Sequence, residues 1–92
     1  FFIEAMVEAG MNMGLTQAQA HQLAVGTFVG ASQLAQTANE PPRTLRERVT
    51  SKGGTTYAAI TSMQEAGVSA LFAHALEAAR ARAKELGEEF GR

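Results

Sequence analysis

The chain has no cysteine among its 92 residues, which excludes a disulfide framework and any thiolate zinc site. It also lacks an excess of charge: the formal net charge is −1, where a nucleic-acid binder normally shows a clear basic surplus. Ninety-two residues are too few to hold a nucleotide-binding βαβ domain and a substrate domain together. No positively charged segment precedes an apolar run, so no signal peptide is expected and the cytoplasm is the expected compartment. No stretch is apolar for long enough to span a bilayer: the most uniform candidate is broken by Thr27 and flanked by Gln22, Ser32, Gln33 and Gln36. No apolar–polar alternation persists, so no sheet is expected, and no repeat of solenoid length is visible. His21 and His74 have no local partner at metal-ligand spacing, so no metal is expected.

What is present is 46% hydrophobic residues, read as one small domain, residues 1–92, with a thin core. A chain this size buries about 60–65% of the surface its unfolded form exposes. Its charges are unevenly placed. Glu4, Glu8 and Glu40 stand alone in the first forty residues, and Arg43, Arg46, Arg48 and Lys52 then crowd around Glu47. From Ala9 to Asn39 there is no Asp, Glu, Lys or Arg. A helix with a solvated face normally carries charge there, so this segment is expected to be covered by another chain or domain. Phe1 opens the sequence in what already reads as a helix interior, so a piece of a longer protein is expected.

The patterning gives an all-α domain of about five helices. The first runs to about Met13, with Ile3, Met6, Val7 and Gly10 on one face and Gly14 at a left-handed C-cap position. Thr16 and Gln19 have the spacing of a capping box. A second helix follows to about Thr37, stopped by Asn39-Glu40-Pro41-Pro42. Gly26 and Gly30 inside it each cost about 1 kcal/mol against Ala, a cost that close approach of another helix would offset. A short helix is expected over Arg43–Val49. A fourth starts at Thr55 or Thr56 and runs to Ala66, with Ile60 and Met63 inward and Gly67 closing it. A fifth spans about Ser69 to Leu86 with the stripe Leu71, Phe72, Ala75, Leu76, Ala79, Ala83 and Leu86. Arg80, Arg82 and Lys84 fall in its last turns, where cations complement the helix dipole.

Chemistry-bearing signals converge between Arg46 and Thr56. Gly53 and Gly54 let the backbone turn sharply, and a helix begins directly after them. Its first N–H groups have no internal partner and carry partial positive charge, and Ser51, Thr55 and Thr56 add hydroxyls. Together these form a site suited to a carboxylate or phosphate, although an ordinary loop closed by a Thr N-cap has the same spacing. It is not a Walker loop, because Lys52 precedes the two glycines. Glu4 and Glu8 share a helix face at i, i+4, a spacing open to acid–base work and equally common on solvated surface. The methionines read as packing residues, and Arg80, Arg82 and Lys84 are balanced by Glu85, Glu88 and Glu89.

The segments Phe2-Ile3-Glu4-Ala5-Met6, Gly14-Leu15, Ala18 to Ala20, Leu45 to Thr56 and Glu65-Ala66-Gly67-Val68 resemble the C-terminal domain of pyrroline-5-carboxylate reductase, and the likeness runs the length of the chain. Val49-Thr50-Ser51-x-Gly53-Gly54-Thr55-Thr56 is its most specific part; Lys52 stands where that family often has Pro. The resemblance implies an oxidoreductase of proline biosynthesis that reduces 1-pyrroline-5-carboxylate to L-proline with NADPH or NADH. It implies that this chain is the dimerisation and substrate-binding domain, a helical bundle interlocked with a second copy. A Rossmann domain outside it would hold the cofactor, so these residues alone would be inactive. Val49, Ser51, Gly53, Gly54, Thr55 and Thr56 would then contact the substrate, with Thr56 hydrogen-bonding the ring nitrogen. Two other readings remain open: a non-catalytic helical interaction module, and the helical domain of another Rossmann-type dehydrogenase.

Overall fold

The computed structural model describes residues 1–91. They form five helices: α1 (Phe2–Asn12), α2 (Gln17–Thr37), α3 (Pro42–Arg48), α4 (Thr55–Ala66) and α5 (Val68–Glu89). No strand occurs among the described residues, as the absence of alternation predicts. The helices fall into two compact units, Phe1–Arg46 and Glu47–Arg92, whose boundary lies inside α3.

In the first unit, α1 and α2 form a helical hairpin whose turn is fixed from both sides. Gly14 adopts φ +107°, a left-handed conformation open to glycine without a Cβ penalty. Leu15 then donates its N–H to Gly10 O (3.1 Å) and Gly14 donates to Met11 O (3.0 Å), the two bonds of a Schellman C-cap. Two residues later the capping box forms as its spacing predicts. Gln19 N–H donates to Thr16 Oγ1 (3.2 Å), and Thr16 N–H donates to Gln19 Oε1 (3.0 Å). The helices meet through small residues: a Cβ added at Gly10 would stand 3.1 Å from the Cβ of Ala20. Ala20 and Ala24, one turn apart on α2, are 2% and 1% exposed and are the buried core of the described residues.

Beyond Val25 the rest of α2 has no such cover, and Phe28, Val29 and Leu34 are exposed. Nothing lies within 4 Å of a Cβ built at Gly26 or Gly30, so the approach expected there is not made within one chain. The helix satisfies its own hydroxyls: Thr27 Oγ1 donates to Leu23 O (2.7 Å) and Thr37 Oγ1 to Gln33 O (2.9 Å). Ala38 leaves the helix in extended backbone (φ −73°, ψ 139°). Pro42 is not a terminator but the first residue of α3, with Thr44 and Leu45 donating back to Pro41 O. Proline suits a first helical position because the N–H it lacks would have no partner there.

In the second unit, α4 and α5 are joined by one residue. Gly67 (φ 75°) is both the C-cap of α4 and the N-cap of α5. α5 runs three residues past the expected Leu86, to Glu89. Ion pairs support that last turn, where Arg82 meets Glu85 (3.0 Å) and Glu89 (3.9 Å), and Arg80 meets Glu77 one turn earlier (2.6 Å). No residue of α4 or α5 is buried. Met63, expected inward, is exposed, as are Leu71, Phe72, Leu76 and Leu86 along the α5 stripe.

Candidate functional site

The segment from Val49 to Thr56 leads from α3 into α4. Thr50 closes the end of α3 by donating its N–H to Glu47 O (3.2 Å), and Val49 beside it is exposed. Ser51 to Gly54 form a tight turn in which Gly54 N–H donates to Ser51 O (2.9 Å). Both glycines are required by the geometry, for different reasons. Gly53 sits at φ +82°, where a side chain is strained. Gly54 has an ordinary φ of −87°, but a Cβ there would lie 3.1 Å from both the carbonyl and the hydroxyl oxygen of Ser51.

The turn delivers the chain directly into α4. Its first helical bond is Ala58 N–H to Gly54 O (3.1 Å). The N-cap is Gly54, and no side chain caps the helix. The N–H groups of Thr55, Thr56 and Tyr57 therefore lie ahead of the bonded ladder, at the positive end of the helix dipole. α2 is the contrast within the same chain, since its Gln19 N–H is served by the Thr16 side chain. Ser51, Gly53, Thr55 and Thr56 are exposed and Gly54 is half-buried, so a ligand can reach all of them. Such a start, with hydroxyls on either side of a two-glycine turn, can hold a carboxylate through several N–H donors at once.

The turn thus brings Ser51, Gly53, Gly54, Thr55 and Thr56 around one helix start, while Val49 stays at the end of α3. Tyr57 was not among the expected site residues. It supplies the third unbonded N–H, and the signal that would have found it is its place three residues beyond the Gly54 N-cap.

A second grouping was also missed. Glu4 and Glu8 from α1 and His21 from α2 line one open groove of about 480 Å³ in the first unit, with Ile3, Val7 and Met11 among its walls. The short α1–α2 turn folds the start of α2 back along α1, so His21 acquires acidic neighbours that its sequence position hides. No cluster of three His, Cys, Asp or Glu residues able to hold a metal occurs among the described residues. His74, on α5, is exposed. No helix among the described residues is long and apolar enough to cross a membrane.

Comparison with known proteins gives one consistent result. Residues 1–86 match the pyrroline-5-carboxylate reductase dimerisation family. A pyrroline-5-carboxylate reductase of Pseudomonas aeruginosa is 45% identical over 99% of this chain and 34% of its own length. One from Corynebacterium melassecola is 42% identical over 92% of this chain and 32% of its own. Among solved structures, the Plasmodium falciparum pyrroline carboxylate reductase with NADP bound superposes with a TM-score of 0.90 at 27% identity, covering 94% of this chain and 34% of that one. The chain therefore spans about a third of the length of the curated relatives it matches.

Proposed function

The chain belongs to the pyrroline-5-carboxylate reductase dimerisation family, and we propose that it supplies the dimer interface and the substrate-carboxylate site of such a reductase. The reaction is the NADPH- or NADH-dependent reduction of 1-pyrroline-5-carboxylate to L-proline. The observation that carries the reading is the uncapped start of α4 behind the Ser51–Gly54 turn. A cyclic imine with one fixed carboxylate is oriented by anchoring that carboxylate, and reduction at the C=N carbon depends chiefly on positioning.

Each residue then has a role. The N–H groups of Thr55, Thr56 and Tyr57 donate to the carboxylate. Gly53 and Gly54 allow the backbone to approach it, and the Ser51 hydroxyl adds a donor at the rim. Thr56 Oγ1 hydrogen-bonds the ring nitrogen and holds the C=N bond in one orientation. No strong side-chain base is needed, because the imine is reduced with its nitrogen protonated. Val49 contributes an apolar flank.

The dinucleotide supplies the hydride when bound, but these residues do not fit it. Among the described residues there is no strand, so the Gly-rich strand-to-helix turn that receives a pyrophosphate has no counterpart among them. Its site is assigned to the remaining two thirds of such a reductase, and residues 1–92 serve as the dimerisation and substrate-binding domain. The cytoplasm is the compartment proposed for it.

The reading is tested in the reductase that contains this chain. Thr56→Ala raises the KM for 1-pyrroline-5-carboxylate and leaves NADPH affinity unchanged. An unchanged substrate KM removes the loop from the site.

A further inference from the structure

We propose that Lys52 is a capture residue for the anionic substrate: its ammonium draws the carboxylate to the start of α4 and lowers KM without acting on the chemical step. The inference rests on the role given to the Ser51–Thr56 loop above. The turn shows what Lys52 is free to do. Gly54 N–H donates to Ser51 O (2.9 Å), and Gly53, the third residue of the turn, sits at φ +82°. No non-glycine residue among those described has a positive φ, so Lys52 at the second position does not. Those signs mark a type II turn, whose second position favours proline. The closing bond spans Ser51 and Gly54 and leaves the Lys52 N–H out of it. Proline would pre-set the same φ and restrict the unfolded chain as well. The turn therefore asks nothing of Lys52 that lysine is best at supplying. What lysine adds is a cation on a flexible four-carbon stem.

Charge and position say what that cation does. Lys52 is exposed, and its side chain makes no ion pair or hydrogen bond with the described residues. Other cations of the second unit are engaged: Arg80 meets Glu77, Arg82 meets Glu85, and Arg48 also has a partner. From Arg48 to Gln64 there is no Asp or Glu, so no carboxylate of its own segment competes with a substrate for the ammonium. Three peptide units separate Lys52 from Thr55, which puts their Cα atoms at most about 11 Å apart. An anion held by the N–H groups of Thr55, Thr56 and Tyr57 thus lies within reach of the Lys52 field. That distance is well inside the Debye length of about 30 Å at 0.01 M salt and well outside the roughly 3 Å at 1 M. An exposed charge pair of this kind is worth about two- to fivefold in affinity. It acts on the encounter, because the field of an exposed cation raises the local concentration of an anion before any contact is made.

The experiment is steady-state kinetics of the reductase that contains this chain, at saturating cofactor and at about 0.01 M and 1 M ionic strength. Wild type is compared with Lys52→Gln, Lys52→Pro and Lys52→Arg. At low salt the Gln and Pro variants raise the KM for 1-pyrroline-5-carboxylate by about two- to fivefold, with kcat and the NADPH KM unchanged. At high salt they converge with wild type, and Lys52→Arg stays close to wild type at both. The proline variant keeps the turn and removes only the charge, so a wild-type KM in that variant at low salt overturns the proposal. A deficit that persists at 1 M salt also overturns it, since that marks a distorted turn, as does a rise in the NADPH KM or a failure of Arg to rescue. Thr56→Ala, measured alongside, separates this inference from the reading it rests on. A substrate KM that moves in Thr56→Ala but in neither neutral Lys52 variant removes Lys52 and leaves the carboxylate site standing. A substrate KM that Thr56→Ala leaves unmoved refutes the site itself, and the capture role falls with it.

Discussion

Replacing Gly26 and Gly30 by Ala gives opposite results in a lone chain and in a pair. Within one chain nothing lies within 4 Å of a Cβ at either position, so the two methyls meet no steric cost. Each substitution then gains about 1 kcal/mol of helix propensity, and the double variant is stabilised by about 2 kcal/mol, roughly 30-fold in the folding constant. If a second copy packs its α2 against these glycines, each methyl enters a close backbone crossing, and a two-fold dimer contains four of them. At about 1 kcal/mol each, the low end for overpacking, the dimer loses about 4 kcal/mol, nearly a thousandfold in Kd. The assay is sedimentation equilibrium of wild type and Gly26→Ala/Gly30→Ala, with urea unfolding at several chain concentrations. The expected outcome is a variant that dissociates at concentrations where wild type stays paired, while its α2 is at least as helical. Gly10→Ala is the internal control. Its new Cβ stands 3.1 Å from Ala20 Cβ in the same chain, so its effect acts on the α1–α2 hairpin and not on Kd. A double variant that is more stable and equally dimeric would refute the idea that the glycine face of α2 is a contact between copies.

Two further outcomes are expected. Thr16→Ala removes the acceptor for Gln19 N–H and with it the capping box, which lowers stability by about 1 kcal/mol in urea unfolding. Gly54→Ala places a methyl 3.1 Å from the Ser51 carbonyl and hydroxyl and pushes the turn open; in the full reductase, steady-state kinetics should show a raised substrate KM with the cofactor KM unchanged.

The elements that sequence predicted well are those with local causes. Gly14 and the Thr16–Gln19 pair mark the α1–α2 turn because a left-handed glycine and a capping box are made by residues within a few positions of each other. Gly67 marks the α4–α5 junction for the same reason. α5 runs past the expected Leu86 to Glu89, where the ion pair between Arg82 and Glu89, about two turns apart, supports the helix beyond Gly87. Burial was the least legible property. Periodicity shows which face of a helix is apolar but not what covers it, so Met63 and the α5 stripe read as inward and are exposed in one chain. The loop from Ser51 to Thr56 was visible as a glycine turn before a helix, whereas Tyr57 was not, because its contribution is a main-chain N–H that no side-chain motif records. The association of His21 with Glu4 and Glu8 depends on the hairpin bringing distant positions together.

The one-residue link at Gly67 has a consequence for how such a domain can vary in evolution. Most helix pairs are joined by loops that absorb insertions and deletions without disturbing either helix. Here no loop exists. One residue gained or lost inside α5 near its start turns everything after it by about 100° around the helix axis. Leu71, Phe72, Leu76 and Leu86 would keep the face they share, but that face would point in a new direction relative to α4, while the fold of each helix stayed intact. The α4–α5 junction should accordingly be a place where length is held constant even as residue identity drifts, and where a single-codon deletion does more harm than most substitutions.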